Sequence, residues 1–425
     1  MFQELRTNNY TFPALGEGMD RDSRFLLKCF RKYYKENTPM LPDRFTRREF
    51  GFMFFDRNMM QRHIGFSNAE DLRRFMASNV PAHSYYSTAY YRKPSAPTME
   101  EKEWLGAELI FDLDADHLAG AENMTYPVMM RQIRSEMIGL CDSFLMGDLG
   151  FDEKDVRLTF SGGRGYHAHV MMKDVLTLGS HERREVVDYV LGSGLDIDWV
   201  FPYNQVATSR MAVGGGVRTN VAKDRLVPPE GSGGWKKRMR MGLMDVVNDF
   251  CDMDPKSLRS GYPSIKKSQY STVEKVQEDV RRSRKVIFDK NTMATMGKTA
   301  QEMLVKIMDE DMRPRLSGEV DAPVTSDVKR LIRLPGSIHG KGGLRVTPLT
   351  RDQLTDFEPL DLAVPEEYSC DPVEITVKKP VDLTIKGERF VLEGETEVPE
   401  FAAVFLIGRR FAQLGKVSDM PDISF

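Results

Sequence analysis

Glu108-Leu109-Ile110-Phe111-Asp112-Leu113-Asp114-Ala115-Asp116-His117 is the stretch from which the rest of the chain can be read. Leu109, Ile110 and Phe111 form an apolar run of strand length, and residues two apart along a strand project to the same side. Asp112 and Asp114 are therefore expected to leave the strand end together. Two carboxylates held side by side resist joint ionisation unless a cation sits between them. Hard divalent ions such as Mg²⁺ are bound by a few such oxygens together with substrate phosphate. Standing alone, an Asp-x-Asp is more often a strand end running into an acidic turn, so its meaning depends on the motifs that accompany it.

A second motif lies C-terminal to it: Arg157-Leu158-Thr159-Phe160-Ser161-Gly162-Gly163-Arg164-Gly165-Tyr166-His167-Ala168-His169-Val170. A strand, a polar turn with three glycines and a second strand predict an antiparallel hairpin. Such a turn suits phosphate. Glycines let backbone N–H groups come close to an anion, while Ser161, Arg164 and His167 add a hydroxyl, a planar fork of donors and a ring N–H. His169 falls on the same strand face as His167 and reads as a packing histidine.

A third segment runs Asp321-Ala322-Pro323-Val324-Thr325-Ser326-Asp327-Val328-Lys329-Arg330-Leu331-Ile332-Arg333-Leu334-Pro335-Gly336-Ser337-Ile338-His339-Gly340-Lys341. Thr325, Ser326 or Asp327 is expected to cap a short helix with Arg330 and Arg333 at i, i+3 spacing, ended by Pro335-Gly336. His339 and Lys341 then occupy a glycine-rich turn. Lys341 is as plausible a hairpin charge as a phosphate contact.

Taken in order, the three segments resemble the small, catalytic subunit of the archaeal and eukaryotic type of DNA primase. Arg48-Glu49-Phe50-Gly51-Phe52 with Arg62-His63-Ile64-Gly65-Phe66, and Pro81 to Tyr91, add to the match. The resemblance covers about residues 20 to 350 and extends more loosely through Pro399 to Arg410. It implies that Asp112, Asp114 and Asp321 bind metal, and that Ser161, Arg164, His167, Arg333 and His339 hold the triphosphate of an incoming nucleotide. Glu49 and Arg62 match a nucleotide-proximal pair, and Asp116 is expected to act behind the metal-binding acids or to face solvent. Many relatives carry a zinc-binding knob soon after the Asp-x-Asp strand. Here His117 to Pro127 has no cysteine, and Cys29, Cys141, Cys251 and Cys370 form no Cys-x-x-Cys pair, so structural zinc is not expected.

The implied chemistry is template-directed nucleotidyl transfer that makes short RNA primers, with DNA primers as an alternative product. Two Mg²⁺ or Mn²⁺ ions would clamp the attacking and leaving oxygens, and fixed cationic donors would neutralise the triphosphate. Implied partners are a primase large subunit in a heterodimer, single-stranded DNA template and nucleoside triphosphates. A stand-alone primase-polymerase would differ mainly in lacking the partner. A two-metal phosphodiesterase or nuclease could use the same carboxylates, but hydrolysis does not require two separate triphosphate-binding elements.

The net charge of −3 is no obstacle, because basic residues cluster in Lys236-Lys237-Arg238-Met239-Arg240 and Arg281-Arg282-Ser283-Arg284-Lys285. Each run reads more readily as a helix face than as a template contact. With 41% hydrophobic and 29% charged residues, no leader pattern and no apolar run near the roughly eighteen residues of a membrane span, the chain reads as cytoplasmic, nucleoid-associated and free of membrane contact. The expected fold is α/β (α+β): a mixed-sheet catalytic core of the archaeo-eukaryotic primase type with a mainly helical insertion. Composition shifts place the first part of the core at 1–212, the insertion at 213–315, a return segment at 316–365, and C-terminal strands with a closing helix at 366–425.

Overall fold

Leu26, Leu27, Phe30, Tyr33 and Tyr34 recur at helical spacing and are the buried face of α1 (Arg21–Glu36), whose first turn is capped by Asp20. Strands β1 (Phe50–Phe54) and β2 (Arg57–Ile64), helix α2 (Ala69–Asn79), and strands β3 (His83–Ser87), β4 (Ala89–Tyr91), β5 (Trp104–Ala107) and β6 (Leu109–Asp114) come after it. Next are α3 (Tyr126–Gly139) and the hairpin of β7 (Val156–Phe160) with β8 (Gly165–Val170). The middle of the chain holds α4 (Ser180–Leu191), α5 (Ile197–Val200), β9 (Tyr203–Val213), β10 (Gly216–Arg225), α6 (Gly234–Asp252), α7 (Pro255–Gly261), α8 (Tyr270–Asp289), α9 (Lys298–Ile307) and α10 (Arg313–Leu316). It then runs through α11 (Ala322–Ser326), β11 (Leu331–Arg333), β12 (Thr347–Leu349), α12 (Arg351–Asp356) and α13 (Pro359–Leu362). The last elements are β13 (Pro372–Ile385), β14 (Glu388–Pro399), α14 (Glu400–Gly408) and β15 (Ala412–Leu414). This computed structural model describes residues 19–118, 120–213 and 216–415. The ends of the first and last expected segments, and Gly214 and Gly215 near the start of the expected insertion, lie outside the described residues.

Two compact units result. The first comprises Met1–Ile138, Asp152–Arg183 and Asp321–Phe425, and the second Gly139–Phe151 with Arg184–Val320. In the second unit α6, α8 and α9 bury Leu243, Val246, Val247, Phe250, Val276, Val280, Ile287 and Leu304. Strands β9 and β10 pair antiparallel from Val213 with Gly216 to Tyr203 with Arg225. The segment expected as a helical insertion lies inside this unit.

The first unit carries two four-stranded sheets, ordered β11-β3-β1-β2 and β12-β7-β8-β6. Mixed sheets are the expectation from sequence, yet every strand pair among the described residues is antiparallel. The reason lies in β8. The connection through α3 brings β7 in parallel to β6 but not beside it, and the return strand of the hairpin fills the gap, pairing antiparallel with both. In that register Asp112 stands opposite His167 and Asp114 opposite Gly165. Phe111, Leu113, Tyr166, Ala168 and Phe160 are buried.

A second expectation is corrected between residues 325 and 333. Arg330 and Arg333 do not share a helical face. Asp321, not a residue at 325–327, caps the five-residue helix α11, accepting from Val324 N–H at 3.2 Å, with Pro323 in its first turn. The chain then straightens, and Leu331–Arg333 pairs with Ser87–Tyr85 as edge strand β11. The β-branched Ile332 gains more from that sheet, where it is buried, than from a short exposed helix. No helix among the described residues is long and apolar enough to cross a membrane.

Candidate active site

A cleft of about 970 Å³ opens in the first unit. Asp114, Asp116, Gly163, Arg164, Arg333, His339 and Lys341 line it, together with His83, Arg57, Lys378, Arg409 and Arg410. Asp112, Asp321, Ser161 and His167 are not lining residues; Asp112 and Ser161 are tied to ones that are, and Asp321 and His167 are tied to Asp112. Asp112 is two residues before Asp114 on β6 and pairs with His167 on β8. The main-chain N–H of Asp321 donates to the Asp112 carbonyl at 3.0 Å. Ser161 Oγ accepts from the N–H groups of Gly163 and Gly165, both at 3.2 Å, so the serine shapes the turn from within.

Two of the three glycines of that turn, Gly162 and Gly165, are required sterically, and Gly163 is tightly packed. Gly162 has φ of +73°, and a Cβ there would lie 2.8 Å from His339 Cβ. At Gly163 a Cβ would meet the His339 ring at 3.0 Å, and at Gly165 it would lie 2.3 Å from the Leu113 carbonyl oxygen. Absent side chains thus let the turn, the Asp-x-Asp strand and the His339 turn approach one another closely.

Burial, then the charges of Asp114 and Asp321, pushes the Asp112 carboxyl up to about 7. His167 Nε2 lies 3.4 Å from Asp112 Oδ1, and burial together with neighbouring His169 holds that ring well below its ordinary value. Among the described residues no three His, Cys, Asp or Glu side chains are already gathered at ligand distance. Asp114 Oδ1 accepts from Asp116 N–H at 3.0 Å, and Asp321 caps α11. The donor set is nonetheless three carboxylates, of which Asp114 and Asp321 act on Asp112 by their charge, and hard oxygen ligands of this kind fit a divalent ion of the Mg²⁺ or Mn²⁺ kind.

The cationic wall is built differently. Arg333 donates to His83 Nδ1 at 2.6 Å and to His339 Nε2 at 2.9 Å, and its guanidinium lies 4.5 Å from the Tyr85 ring centroid. A guanidinium only donates, so both ring nitrogens facing it are acceptors and both imidazoles are neutral. Burial, then the charge of Arg333, holds His83 down at about 3 and His339 well below its ordinary value. Arg333 is therefore a half-buried cation whose charge these neutral rings orient without cancelling. Arg164 is differently placed: it is hydrogen-bonded to Asp116 and lies 3.9 Å from Asp114.

Glu49 and Arg62 pair with each other, at 3.0 and 3.3 Å, but neither lines the cleft. Glu49 precedes β1, whose opposite end, Met53 and Phe54, is what reaches the cleft. Its carboxylate also accepts from His63 N–H at 3.0 Å and lies 3.4 Å from Lys102 Nζ. Burial would raise this carboxyl, but Arg62, His63 N–H and Lys102 hold it below the usual range. His169 is buried against Glu108 at 2.9 Å. Lys341 lines the cleft. In the second unit the basic runs tie helices together: Arg238 bonds Asp148, Arg240 donates to Pro228 and Phe288 carbonyls, and Arg281 donates to the Cys251 carbonyl.

Three residues of the cleft and its rim carry no functional signal in the sequence: His83, Tyr126 and Arg409. The stretch Pro81 to Tyr91 adds to the family resemblance, but nothing in it singles out His83. Arg409 falls in the Pro399 to Arg410 stretch of the resemblance, but neither it nor Tyr126 is singled out there, since their significance arises only where α3 and the end of α14 meet the glycine turn.

A family model described as DNA primase small subunit matches residues 111–351. The chain is 42% identical over 402 residues to DNA primase small subunit PriS of Methanocella arvoryzae, covering 92% of this chain and 98% of that protein. It is 38% identical to the protein of the same description from Methanococcoides burtonii, over 93% of this chain and 100% of the relative. A counterpart from Picrophilus torridus is 34% identical over 90% and 96%.

Proposed function

Because this chain belongs to the DNA primase small subunit family, whose members are primer-synthesising nucleotidyltransferases with divalent-metal-dependent catalysis, we propose that its cleft joins nucleotides on a DNA template by a two-metal-ion mechanism. The observation that carries this reading is the bond from Asp321 N–H to the Asp112 carbonyl, because it joins the third motif to the first beside the glycine turn of the second.

Asp112, Asp114 and Asp321 are the residues that would hold the ions. Bound there, divalent ions would lower the pKa of an attacking 3′-hydroxyl and neutralise charge on the α-phosphate and the leaving pyrophosphate. The chain's own contribution is positioning and a fixed field. Arg333, carried on β11 and oriented by two neutral histidines, and Arg164, at the tip of the glycine turn, present charge to the polyphosphate from two sides of the cleft. Ser161 keeps the turn in shape, His167 packs beside Asp112, and His339 both orients Arg333 and fills the space above Gly162 and Gly163. Since neither Glu49 nor Arg62 lines the cleft, their proposed part is to brace the start of β1 near the bound nucleotide.

The proposed products are short RNA primers, with DNA primers as a second capacity, and the proposed metal is Mg²⁺ or Mn²⁺. We assign the chain a large-subunit partner, with which it would share the grip on single-stranded template, and an intracellular setting. The four segments at 1–212, 213–315, 316–365 and 366–425 remain the proposed division of the core and its insertion. The test is synthesis by the purified chain with its large subunit, a single-stranded template and either ribo- or deoxyribonucleoside triphosphates. Product with release of pyrophosphate supports the reading. Degradation of template without synthesis, or full activity after Asp112→Asn with Asp114→Asn, overturns it.

A further inference from the structure

The Gly163 carbonyl, in the middle of the glycine turn, receives two donors from other parts of the first unit. Tyr126 donates its hydroxyl at 2.8 Å from the first turn of α3, and Arg409 donates from Nη2 at 3.2 Å from the residue immediately after α14. The two donors also support each other. The Arg409 guanidinium lies 4.7 Å from the centroid of the Tyr126 ring, and Phe405 of α14 meets that ring edge-on at 5.4 Å. Arg409 lines the cleft, and among the described residues no carboxylate lies within ion-pair distance of it. Burial, with Arg164 nearby adding to it, holds its guanidinium below the ordinary value. A half-buried arginine that no carboxylate meets at ion-pair distance among the described residues, with Asp114 acting on it only from farther away, is costly for a fold to keep, so its position calls for a reason beyond packing.

The geometry of a single peptide plane supplies one. All peptide bonds among the described residues are trans, and in a trans peptide the C=O of one residue and the N–H of the next point in opposite directions. Holding the Gly163 carbonyl toward Tyr126 and Arg409 therefore turns the Arg164 N–H the other way. The N–H groups of Gly163 and Gly165 are occupied by Ser161 Oγ, whereas the Arg164 N–H has no acceptor among the described residues. That leaves an open main-chain donor on the residue whose side chain lines the cleft. Were the peptide to flip, the carbonyl dipole would face the anion instead, and one attractive contact would become a repulsive one.

We propose that Arg409 and Tyr126 are positioning residues that clamp the Gly163–Arg164 peptide, so that the Arg164 N–H and guanidinium together grip the polyphosphate of the nucleotide. The end of α14 is thereby part of the nucleotide site, although it lies far from the three motifs in sequence. This proposal rests on the reading of the cleft as a nucleotide site and adds to it the residues that set the turn's donor pattern.

The test compares the full chain with Tyr126→Phe, Arg409→Lys and Arg409→Met. Tyr126→Phe keeps the ring and removes only the hydroxyl, so it remains informative even if an Arg409 variant fails to fold. A clamp that acts equally before and during the chemical step raises KM for nucleoside triphosphate and leaves kcat unchanged. The expected rise is about threefold for Tyr126→Phe and about tenfold for Arg409→Met, as for one neutral and one charged hydrogen bond, with Arg409→Lys in between. Direct titration with tripolyphosphate should weaken in parallel, while affinity for a nucleoside monophosphate, KM for template and the melting midpoint stay at wild-type values. If both Tyr126→Phe and Arg409→Met bind tripolyphosphate within twofold of wild type, the clamp is wrong. It is equally wrong if monophosphate, template and tripolyphosphate affinities fall together with the melting midpoint. Should the wild-type chain itself fail to bind tripolyphosphate, the reading of the cleft falls, and the clamp with it.

Discussion

The main-chain N–H of Asp321 donates to the main-chain carbonyl of Asp112 at 3.0 Å. A backbone bond between these two residues brings their main chains together without using either side chain. The acids are thereby brought near one another although their charges oppose it, and the cost appears on Asp112, whose carboxyl sits at about 7. Arrangements of this kind trade folding stability for function.

Asp112→Asn should separate these two quantities. Removing one of three crowded negative charges relieves repulsion, so in chelator the variant's melting midpoint should equal or exceed that of the wild type. Primer synthesis should fall by at least about a hundredfold. Saturating Mn²⁺ should raise the wild-type midpoint through linkage, by about 2.7 kcal/mol of stability at a hundred times Kd, and raise that of the variant much less. Equal Mn²⁺ shifts in both proteins would remove Asp112 from the metal site.

Asp116 competes for Arg164. The aspartate is 61% exposed, so its hold on the guanidinium is screened by solvent and worth about 1 kcal/mol or less. Asp116→Asn should therefore lower KM for nucleotide by about two- to fivefold and leave kcat unchanged. Steady-state kinetics at varied nucleotide decides the matter, and a large loss of kcat would mean that Asp116 takes part in the metal site directly.

Gly165 admits no side chain. Its added Cβ would lie 2.3 Å from the Leu113 carbonyl oxygen and 3.0 Å from Asp114 Cα, so Gly165→Ala must push β8 away from β6 where Asp114 is held. A loss of about 3 kcal/mol or more is expected. Gly139→Ala, in a helix and with nothing within 4 Å of the new atom, should instead stabilise by about 1 kcal/mol. Thermal melts of the two variants side by side check the contrast.

Glu108 links acid stability to the sheet carrying the site. Burial would raise its carboxyl, but Arg48 first and His169 second hold it down at about 2. Its folded value lies below the ordinary value of about 4.3, so the ionised form stabilises the fold at neutral pH. That stabilisation is lost as pH falls through about 4 toward about 2. Glu108→Gln, which leaves the Arg48 guanidinium buried without its carboxylate, should cost about 3 kcal/mol or more at pH 7. The gap in melting midpoint between variant and wild type should narrow steadily below about pH 4.5. A gap of constant size from about pH 7 to about pH 2.5 would contradict the assignment.

Much of this was legible in the linear chain, and for a physical reason. Strand alternation is a local property, so Asp112 and Asp114 could be placed on one side of β6, and the glycine turn between β7 and β8 could be recognised from its composition. Residue order also sufficed for the family, because three spaced motifs in sequence are far more specific than any one of them. Local preference failed at Arg330–Arg333, where a plausible i, i+3 helix gave way to pairing with β3, a stabilisation that no short window of sequence contains. It also had no way to separate Glu49, which is closed off by Arg62, His63 and Lys102, from the residues that face the cleft. The convergence of Asp321 on Asp112, of His83 and His339 on Arg333, and of Tyr126 and Arg409 on one carbonyl belongs to the folded chain alone. Most of these contacts join segments far apart in the chain, and their energy comes from burial and packing summed over both sheets rather than from any preference of the residues themselves.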